Sequence, residues 1–207
     1  MHTARVGSGT IGAAVFAAAL VLGATPVVAQ VSLDVPAATY KVDPRHTQII
    51  FAIQHMGLST FYGRFGALSG SLTFDPKQPE SSALSVTVDM TNIQTHVEEL
   101  DRELTKNVFH ADKFPTATFT ATSITKASPT TGTVTGNLTL AGVTKPVTLN
   151  VTFDGGRDSP MPFQPYRIGF NATTSVKRSD FGLTGMMWSG LVGDDVSLMI
   201  ECELEKQ

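Results

Sequence analysis

The histidines and acidic residues are the side chains of this 207-residue sequence that could perform acid-base chemistry or hold a metal. Four histidines follow residue 30, and they are His46, His55, His96 and His110. Their spacing matches no zinc-binding motif, and neither His-Glu-x-x-His nor Cys-x-x-Cys occurs. The sequence also lacks a Gly-x-Ser-x-Gly nucleophile elbow and a phosphate-binding glycine loop. These patterns predict no enzyme, no metal site and no cofactor.

Three other residues are candidates for chemistry, an adjacent pair of aspartates and a cysteine. Asp194 and Asp195 are adjacent at the start of a predicted strand, so their side chains should point to opposite faces and cannot act together on one substrate. Cys202, the only cysteine, lies in a run in which every second residue is apolar. We interpret it as a buried thiol and not as a nucleophile.

His55 has the most informative setting of the histidines, because it continues the apolar stripe formed by Phe51 and Ile53. It is therefore expected to point inward. A neutral imidazole there could hydrogen-bond the polar head of a ligand, or it could be a core histidine bonded to a backbone carbonyl. A third hypothesis makes His55 the base of an enzyme acting on a lipid head group, but no orienting carboxylate or nucleophile accompanies it.

Alternation of apolar and polar residues, typical of half-buried strands, dominates the chain after residue 40. We predict eight strands, near residues 49–55, 68–74, 84–90, 116–123, 134–140, 147–153, 168–176 and 196–204. Strands with one polar face belong to antiparallel sheets. A closed barrel and a two-sheet sandwich both fit, and the uninterrupted up-and-down order favours an all-β, eight-stranded antiparallel barrel.

One segment has helical spacing instead. Its apolar residues are Ile93, Val97, Leu100, Leu104 and Val108. Thr95-x-x-Glu98 is typical of a capping box, which predicts one short helix near 96–105. The apolar stripe of this helix should pack across one end of the barrel.

The predicted inner faces mix Phe and Leu with the small residues Gly70, Gly136 and Ala172. An eight-stranded barrel is either just filled by side chains or has room for one small ligand. Larger neighbours could fill these gaps, or an apolar guest could. A further apolar cluster includes Leu183, Met186, Met187, Trp188 and Leu191. It is either a loop that packs into the barrel or a hydrophobic lip around a cavity mouth.

The N-terminal residues resemble a targeting segment. Arg5 precedes an apolar run at 11–23, and small residues follow at 27–29, which predicts a signal peptide over 1–29 that is cut after Ala29. An uncleaved membrane anchor is the alternative. We expect residues 30–39 to be an extension and 40–207 to form the barrel domain, located in the periplasm or otherwise exported. The net charge of −3 and the lack of a basic patch argue against a nucleic-acid partner.

From about Tyr40 onward the chain resembles the YceI family of exported, lipocalin-like proteins. Motifs that carry the resemblance, in order, are Asp43-Pro44-x-His46, Phe51-x-Ile53-x-His55-Met56-Gly57, Gly63-Arg64-Phe65, Pro115-x-x-x-Phe119, Gly136-x-Leu138-Thr139-x-x-Gly142-Val143-Thr144-Lys145-Pro146, Arg178-Ser179-Asp180-Phe181-Gly182 and Gly193-Asp194-Asp195. The family often carries an Arg-Asp pair on its helix, whereas this chain has Leu100-Asp101.

The resemblance implies a lipocalin-like barrel with a hydrophobic pore for polyisoprenoids, isoprenoid quinones or similar amphipathic lipids. It also implies that a homodimer is a candidate assembly. The expected lipid-binding residues are Phe51, Ile53, His55, Phe65, Phe119, Gly136, Leu138, Phe170, Phe181, Met186 and Trp188. The function expected is an exported carrier, scavenger or storage protein for such a lipid. The alternative is a ligand-free exported interaction module for a membrane or redox partner, whose barrel is packed solid.

Overall fold

The structure of the protein is a computed structural model, and it describes residues 32–184 and 189–207. Each of the eight predicted strands is present, and two short strands accompany them. In chain order the strands are β1 (Ala38–Val42), β2 (Gln48–His55), β3 (Ser59–Arg64), β4 (Leu68–Phe74), β5 (Ala83–Asp89), β6 (Thr116–Lys126), β7 (Thr131–Leu140), β8 (Val143–Arg157), β9 (Arg167–Lys177) and β10 (Val192–Lys206).

The ten strands form eight positions in a closed antiparallel wall. β10 pairs with β2 along most of its length and with β1 near its C-terminal end, where Tyr40 faces Lys206. β3 pairs with β2 in the same way that β4 pairs with β1. β1 and β2 therefore form one long bent strand, and β3 and β4 form a second. The pairing of β1 with β10 closes the ring, which confirms the predicted eight-stranded barrel and excludes the sandwich.

The sequence did not reveal β1 and β3 as strands. β1 has only five residues and begins within the expected extension over 30–39. β3 carries apolar residues on both of its faces, including Phe61 and half-exposed Tyr62. Short strands without clean alternation lack the periodic signal on which the prediction depended. Tertiary pairing defines them instead.

The described part of the predicted extension packs on the barrel. Ser32 exchanges two backbone hydrogen bonds with Gly156, at 2.9 and 2.7 Å, and Val35 is buried. The predicted signal peptide over 1–29 lies outside the described residues. Within the described ranges, no helix is long and apolar enough to cross a membrane.

The predicted helix is present as α1 (Glu98–Glu103), and one turn of π-helix continues it over Leu104–Val108. The capping-box prediction was wrong. The side chain of Thr95 donates to Asp101 Oδ1 at 2.6 Å, and the Thr95 backbone N–H donates to the same oxygen at 2.6 Å. Glu98 pairs with Arg102 instead of reaching back to the helix start. The carboxylate of Asp101, within α1, thus binds the segment at Thr95 that leads into the helix.

The loops divide the barrel into two ends. The β2–β3 turn, the long β5–β6 connection with α1, the β7–β8 turn and the β9–β10 connection lie at what we call the helix end. The β4–β5, β6–β7 and β8–β9 connections lie at the opposite, loop end. Each end brings together segments that are far apart in the sequence.

The bend between β1 and β2 is built around the buried carboxylate of Asp43. Arg45 donates to Asp43 Oδ1 through its backbone N–H at 3.0 Å and its Nε at 2.9 Å, and His46 Nδ1 lies 2.7 Å from Oδ2. Burial by itself raises the pKa of Asp43, but the hydrogen bonds from Arg45 and His46 outweigh it and hold the pKa well below its usual range.

Two arginines connect this bend to the neighbouring strands. Arg167 on β9 lies 2.6 Å from Glu205 on β10 and 3.4 Å from Asp43. Arg45 also reaches Glu205, at 3.1 Å. The network therefore fastens the bend to the seam where the barrel closes.

We predict that Asp43→Asn lowers the free energy of unfolding at pH 7 by about 2 kcal/mol, because charge-assisted hydrogen bonds are lost. A carboxylate whose pKa is lowered in the folded state stabilises the protein above the unfolded pKa of about 4, and this stabilisation fades as the pH falls through the folded pKa. The difference between the variant and the wild type should therefore shrink below about pH 4. Urea unfolding of both proteins at several pH values measures this difference in the free energy of unfolding.

The control for this variant is Asp195→Asn, which removes the partner of Lys177 from an exposed pair. This variant should unfold at nearly the wild-type urea concentration, since exposed ion pairs contribute little. Equal losses in the two variants would contradict the role of Asp43.

Candidate functional site

The side chains of the described residues do not fill the barrel interior. It holds two apolar chambers, of about 390 Å³ towards the loop end and about 440 Å³ towards the helix end. Each volume lies within the range of about 300–1,000 Å³ that is usual for small-molecule sites. The sequence left open whether larger neighbours fill the space beside the small inward residues. The structure shows that space remains.

The loop-end chamber is lined mainly by the inward side chains of β4 to β10. Its apolar lining includes Leu68, Leu72, Phe74, Leu84, Val86, Phe119, Val134, Leu149, Val151, Phe153, Phe170, Ala172, Ile200, Cys202 and Leu204. Phe74, Phe153 and Phe170 form a cluster with ring centroids 4.9 to 5.7 Å apart. Threonine and serine from the β6–β7 turn and Pro76 and Pro79 from the β4–β5 loop surround the mouth.

The helix-end chamber lies between the barrel wall and the helical segment. Its lining includes Phe51, Ile53, His55, Phe61, Phe65, Met90, Leu100, Leu104, Val108, Phe109, Leu140, Phe181, Leu183 and Leu191. Phe65 packs between Phe51 and Phe109, with ring centroids 5.2 and 5.8 Å apart. The apolar stripe of the helix therefore covers this end of the barrel, as the sequence predicted.

The two chambers share part of their lining. Four side chains border both of them, and we call this ring the waist: Ile49, Val88, Leu138 and Leu198. The ring brings together β2, β5, β7 and β10. All four side chains are aliphatic, so the boundary that the chambers share presents no polar side chain among these residues.

The structure distributes the expected lipid-binding residues over both chambers. Phe119 and Phe170 border the loop-end chamber, Leu138 borders both, and the helix-end chamber is bordered by Phe51, Ile53, His55, Phe65 and Phe181. Met186 and Trp188 lie outside the described residues. Their neighbours Leu183 and Leu191 border the helix-end chamber.

Gly136 has a different role from the one that its inward position suggested. A Cβ at this position would lie 2.5 Å from the ring of Phe119 and 2.6 Å from the Thr120 carbonyl oxygen. The residue makes room for the Phe119 ring, and that ring borders the chamber. Ala172, by contrast, is a small residue that borders the loop-end chamber directly.

Of the four waist residues, only Leu138 is among the expected lipid-binding residues, and no inward residue of β10 is. Every second residue from Val196 to Leu204 borders a chamber. The alternation was visible, but one strand cannot show which residues from four separate strands meet at one height of a barrel. Closure of the wall decides that.

Few polar groups reach the chambers. His55 lies at the mouth of the helix-end chamber, exposed to solvent and opposite Val192 in the strand ladder. Arg178 also borders this chamber, and its guanidinium donates to the carbonyl oxygens of Leu183 and Gly193 at 2.7 and 2.9 Å. Those bonds fasten the start of the β9–β10 connection to β10. His55 is thus at the edge of the cavity and not in its depth.

The only group of metal-capable side chains found in the described residues lies outside the chambers. Ligand atoms of Asp43, His46 and Glu203 are within 4.8 Å of one another. The Asp43 carboxylate already accepts hydrogen bonds from Arg45, and Arg167 lies 3.4 Å from Asp43 and Glu203. A cation at this position would compete with two guanidinium groups, so the donor set fits the ionic network better than a metal.

A family model described as a YceI-like domain matches residues 40–204. The chain belongs to the YceI-like family. It is 40% identical over 170 residues to a UPF0312 protein of Pseudomonas aeruginosa and to Protein YceI of Salmonella heidelberg. Each alignment covers 81% of this chain and 86% of the relative. The resemblance inferred from the sequence motifs is confirmed.

Solved structures share the fold. The YceI protein of Campylobacter jejuni is 32% identical, with a TM-score of 0.65 over 74% of this chain and 90% of that one. BcnA of Burkholderia cenocepacia has a TM-score of 0.69 at 23% identity, over 78% and 98% of the two chains. A polyisoprenoid binding domain from Saccharophagus degradans has a TM-score of 0.61 at 16% identity, over 82% and 99%. The last two likenesses concern the barrel architecture.

Cys202 provides a chemical test of the loop-end chamber. Burial raises the pKa of its thiol to about 11. Because the thiolate is the reactive form, we predict that alkylation by iodoacetamide at pH 8 is at least about a hundredfold slower in the folded protein than in urea. Its rate should keep rising about tenfold per pH unit up to pH 10.

The same measurement in urea is the control, and there the rate should level off near the ordinary thiol pKa of about 8.5. A folded-state rate that also levels off near that pH would show that Cys202 is not in the apolar environment described.

Proposed function

We propose that this protein binds a long-chain apolar ligand, such as a polyisoprenoid, an isoprenoid quinone or a similar amphipathic lipid, inside its barrel. It would act as an exported carrier, scavenger or storage protein and catalyse no reaction. The observation that supports this most directly is the pair of apolar chambers that share the waist as lining. Relatives of the same fold include a domain described as polyisoprenoid binding.

Desolvation would supply most of the binding free energy. Each methylene group that leaves water contributes about 0.8 kcal/mol, so a chain of several isoprene units binds well without specific polar contacts. Two aromatic clusters, around Phe65 at the helix end and around Phe153 at the loop end, offer broad apolar surfaces to such a chain. The ligand would also occupy empty volume that otherwise costs stability.

A polar head group would stay near a mouth of the cavity. At the helix end, His55 borders the chamber and is accessible to solvent, so its imidazole could hydrogen-bond an oxygen of the head. The hypothesis that His55 is a catalytic base gains no support from the site, because within the described residues no carboxylate is found hydrogen-bonded to it. Its place at the edge of the cavity suits recognition.

Export and assembly complete the proposal. The apolar run at 11–23 and the small residues before position 30 support a signal peptide, which would place the mature protein in the periplasm or otherwise outside the cytoplasm. A homodimer is the assembly that we propose by analogy with the family. A signal peptide would be tested by mass spectrometry of the exported protein, whose first residue should be Gln30.

The direct test of ligand binding is native mass spectrometry of protein that has been purified from its own cells without detergent. A bound lipid with a chain of several isoprene units is the expected result. Repeated recovery of empty protein under gentle conditions would contradict the carrier function and favour the interaction module.

We predict that Ala172→Phe blocks the loop-end chamber without destabilising the ligand-free protein. Because Ala172 is buried and borders empty space, the added ring fills a cavity, and the free energy of unfolding should stay equal or rise by about 1 kcal/mol. Lipid uptake, measured by extraction and mass spectrometry, should fall at least tenfold. In a barrel packed solid, the same ring would cost about 1–3 kcal/mol through overpacking.

The control variant is Thr173→Phe, on the next residue of β9, which points to the outer surface. It adds the same ring outside the barrel and should leave lipid uptake unchanged. A loss of uptake in both variants would indicate a general effect of the added ring. Gly136→Leu is not suitable for this purpose, since its side chain would collide with Phe119 and the Thr120 carbonyl whether or not the cavity binds lipid.

A further inference from the structure

Exposed apolar side chains surround one part of the mouth of the helix-end chamber. Leu58 is 83% exposed and Met56 is 56% exposed, both on the turn between β2 and β3. Leu191, which precedes β10, is 47% exposed and also borders the chamber. The Met56 N–H donates to the Leu191 carbonyl oxygen at 2.7 Å, so the two segments are in direct contact. We call Met56, Leu58 and Leu191 the rim.

The β2–β3 turn keeps an apolar residue at a position that the backbone disfavours. Met56 and Gly57 both have positive φ, 54° and 69°, and the Leu58 N–H donates to the His55 carbonyl oxygen at 3.0 Å. Asn followed by Gly is the preferred sequence for such a turn, and a bulky side chain with positive φ is an outlier. Folding alone would therefore favour Asn over Met at this position, which indicates a role for the apolar side chain.

The rim also lacks charge. Neither residues 54–63 nor residues 189–193 include any Asp, Glu, Lys or Arg. The charged residues of the helix end lie elsewhere on its connections, for example on α1 and at Arg178 and Asp180. An uncharged tip can enter the interface of a lipid bilayer without the large cost of removing charges from water. Half-exposed Tyr62, further back on β3, is a residue type enriched at the level of lipid head groups.

We propose that the rim docks on the surface of a lipid bilayer and opens the helix-end chamber directly towards it. This inference rests on the proposed function, because the bilayer is where a long apolar ligand resides. Transfer along a continuous apolar path avoids the exposure of the chain to water, which costs free energy with every methylene group. Leu191 supplies that continuity, since it belongs to both the rim and the chamber lining.

The proposal specifies the lipid surface. The rim carries no Lys or Arg, and the nearby helix has acidic residues at Glu98, Glu99, Asp101 and Glu103. Docking would therefore rely on apolar insertion and favour zwitterionic lipid. Adding anionic lipid should not strengthen it, unlike the docking of a basic surface.

The test uses phosphatidylcholine vesicles that contain an isoprenoid quinone with eight isoprene units. Wild-type protein should sediment with the vesicles and remove quinone from them. Leu58→Asp should reduce both vesicle binding and the rate of extraction about tenfold or more, because a charge then has to enter the interface. Phe163→Asp is the matched control: Phe163 is a fully exposed apolar residue on the β8–β9 loop at the opposite end, and its replacement should change neither quantity.

A second variant separates docking from folding. Met56→Asn should raise the melting temperature, because Asn-Gly suits the turn, and should nevertheless slow extraction at least threefold. Higher stability with lower transfer is not expected of a residue whose role is structural. A melting temperature that rises with unchanged extraction would contradict the proposal, as would equal extraction by wild type and Leu58→Asp.

Calorimetric titration with farnesol, a soluble chain of three isoprene units, distinguishes failure of the rim from failure of the binding function. Farnesol affinity should be the same within twofold in wild type and Leu58→Asp, since Leu58 does not border the chamber. Absence of both farnesol binding and quinone extraction in wild type would overturn the proposed function. In that case vesicle sedimentation of wild type and Leu58→Asp still tests whether the rim docks on the bilayer. Equal sedimentation of the two proteins would overturn the docking proposal.

Discussion

Closure of the sheet is the constraint on which the rest of the structure depends. The pairing of β1 with β10 gives each position of the wall two neighbours and sets the number of positions around the barrel at eight. This number determines the diameter, and at this diameter side chains can only just fill the interior. Residues such as Ala172 do not extend far enough to do so, and the two chambers result.

A barrel with an open interior must obtain its stability elsewhere. With Cys202 as its only cysteine, the chain cannot form an internal disulfide. The strands of the wall pair with one another through backbone hydrogen bonds, and a buried apolar cluster contributes packing. The Asp43 network fastens the bend between β1 and β2 at the closing seam, which is where a wall assembled from two shorter strands would be weakest. The interactions that stabilise the barrel thus lie in the wall and at its closing seam, and the interior remains open.

The two ends of the barrel differ chemically. The helix end presents an uncharged β2–β3 turn and a mouth bordered by His55 and Leu191, with charged residues on α1 and in the β9–β10 connection. The loop end presents hydroxyl groups from the β6–β7 turn. A cavity that is apolar throughout gives little discrimination among chains that differ by a methylene group. Differences between the mouths are therefore the features that could orient a ligand and determine where it enters.

Much of the architecture was determined by the sequence alone, because alternation and helical spacing are local signals. They located β2 and β4 to β10, the helix, and the inward faces that carry Phe51, Phe119 and Phe170. Short strands such as β3 were not recognisable, since their pairing depends on partners distant in the sequence. The tertiary structure also decided that Gly136 accommodates Phe119, that Asp101 and not Glu98 is the acceptor for Thr95, and that the waist forms from four strands. Each of these features depends on which residues from different segments come into contact when the wall closes. The order of residues along the chain does not specify those contacts.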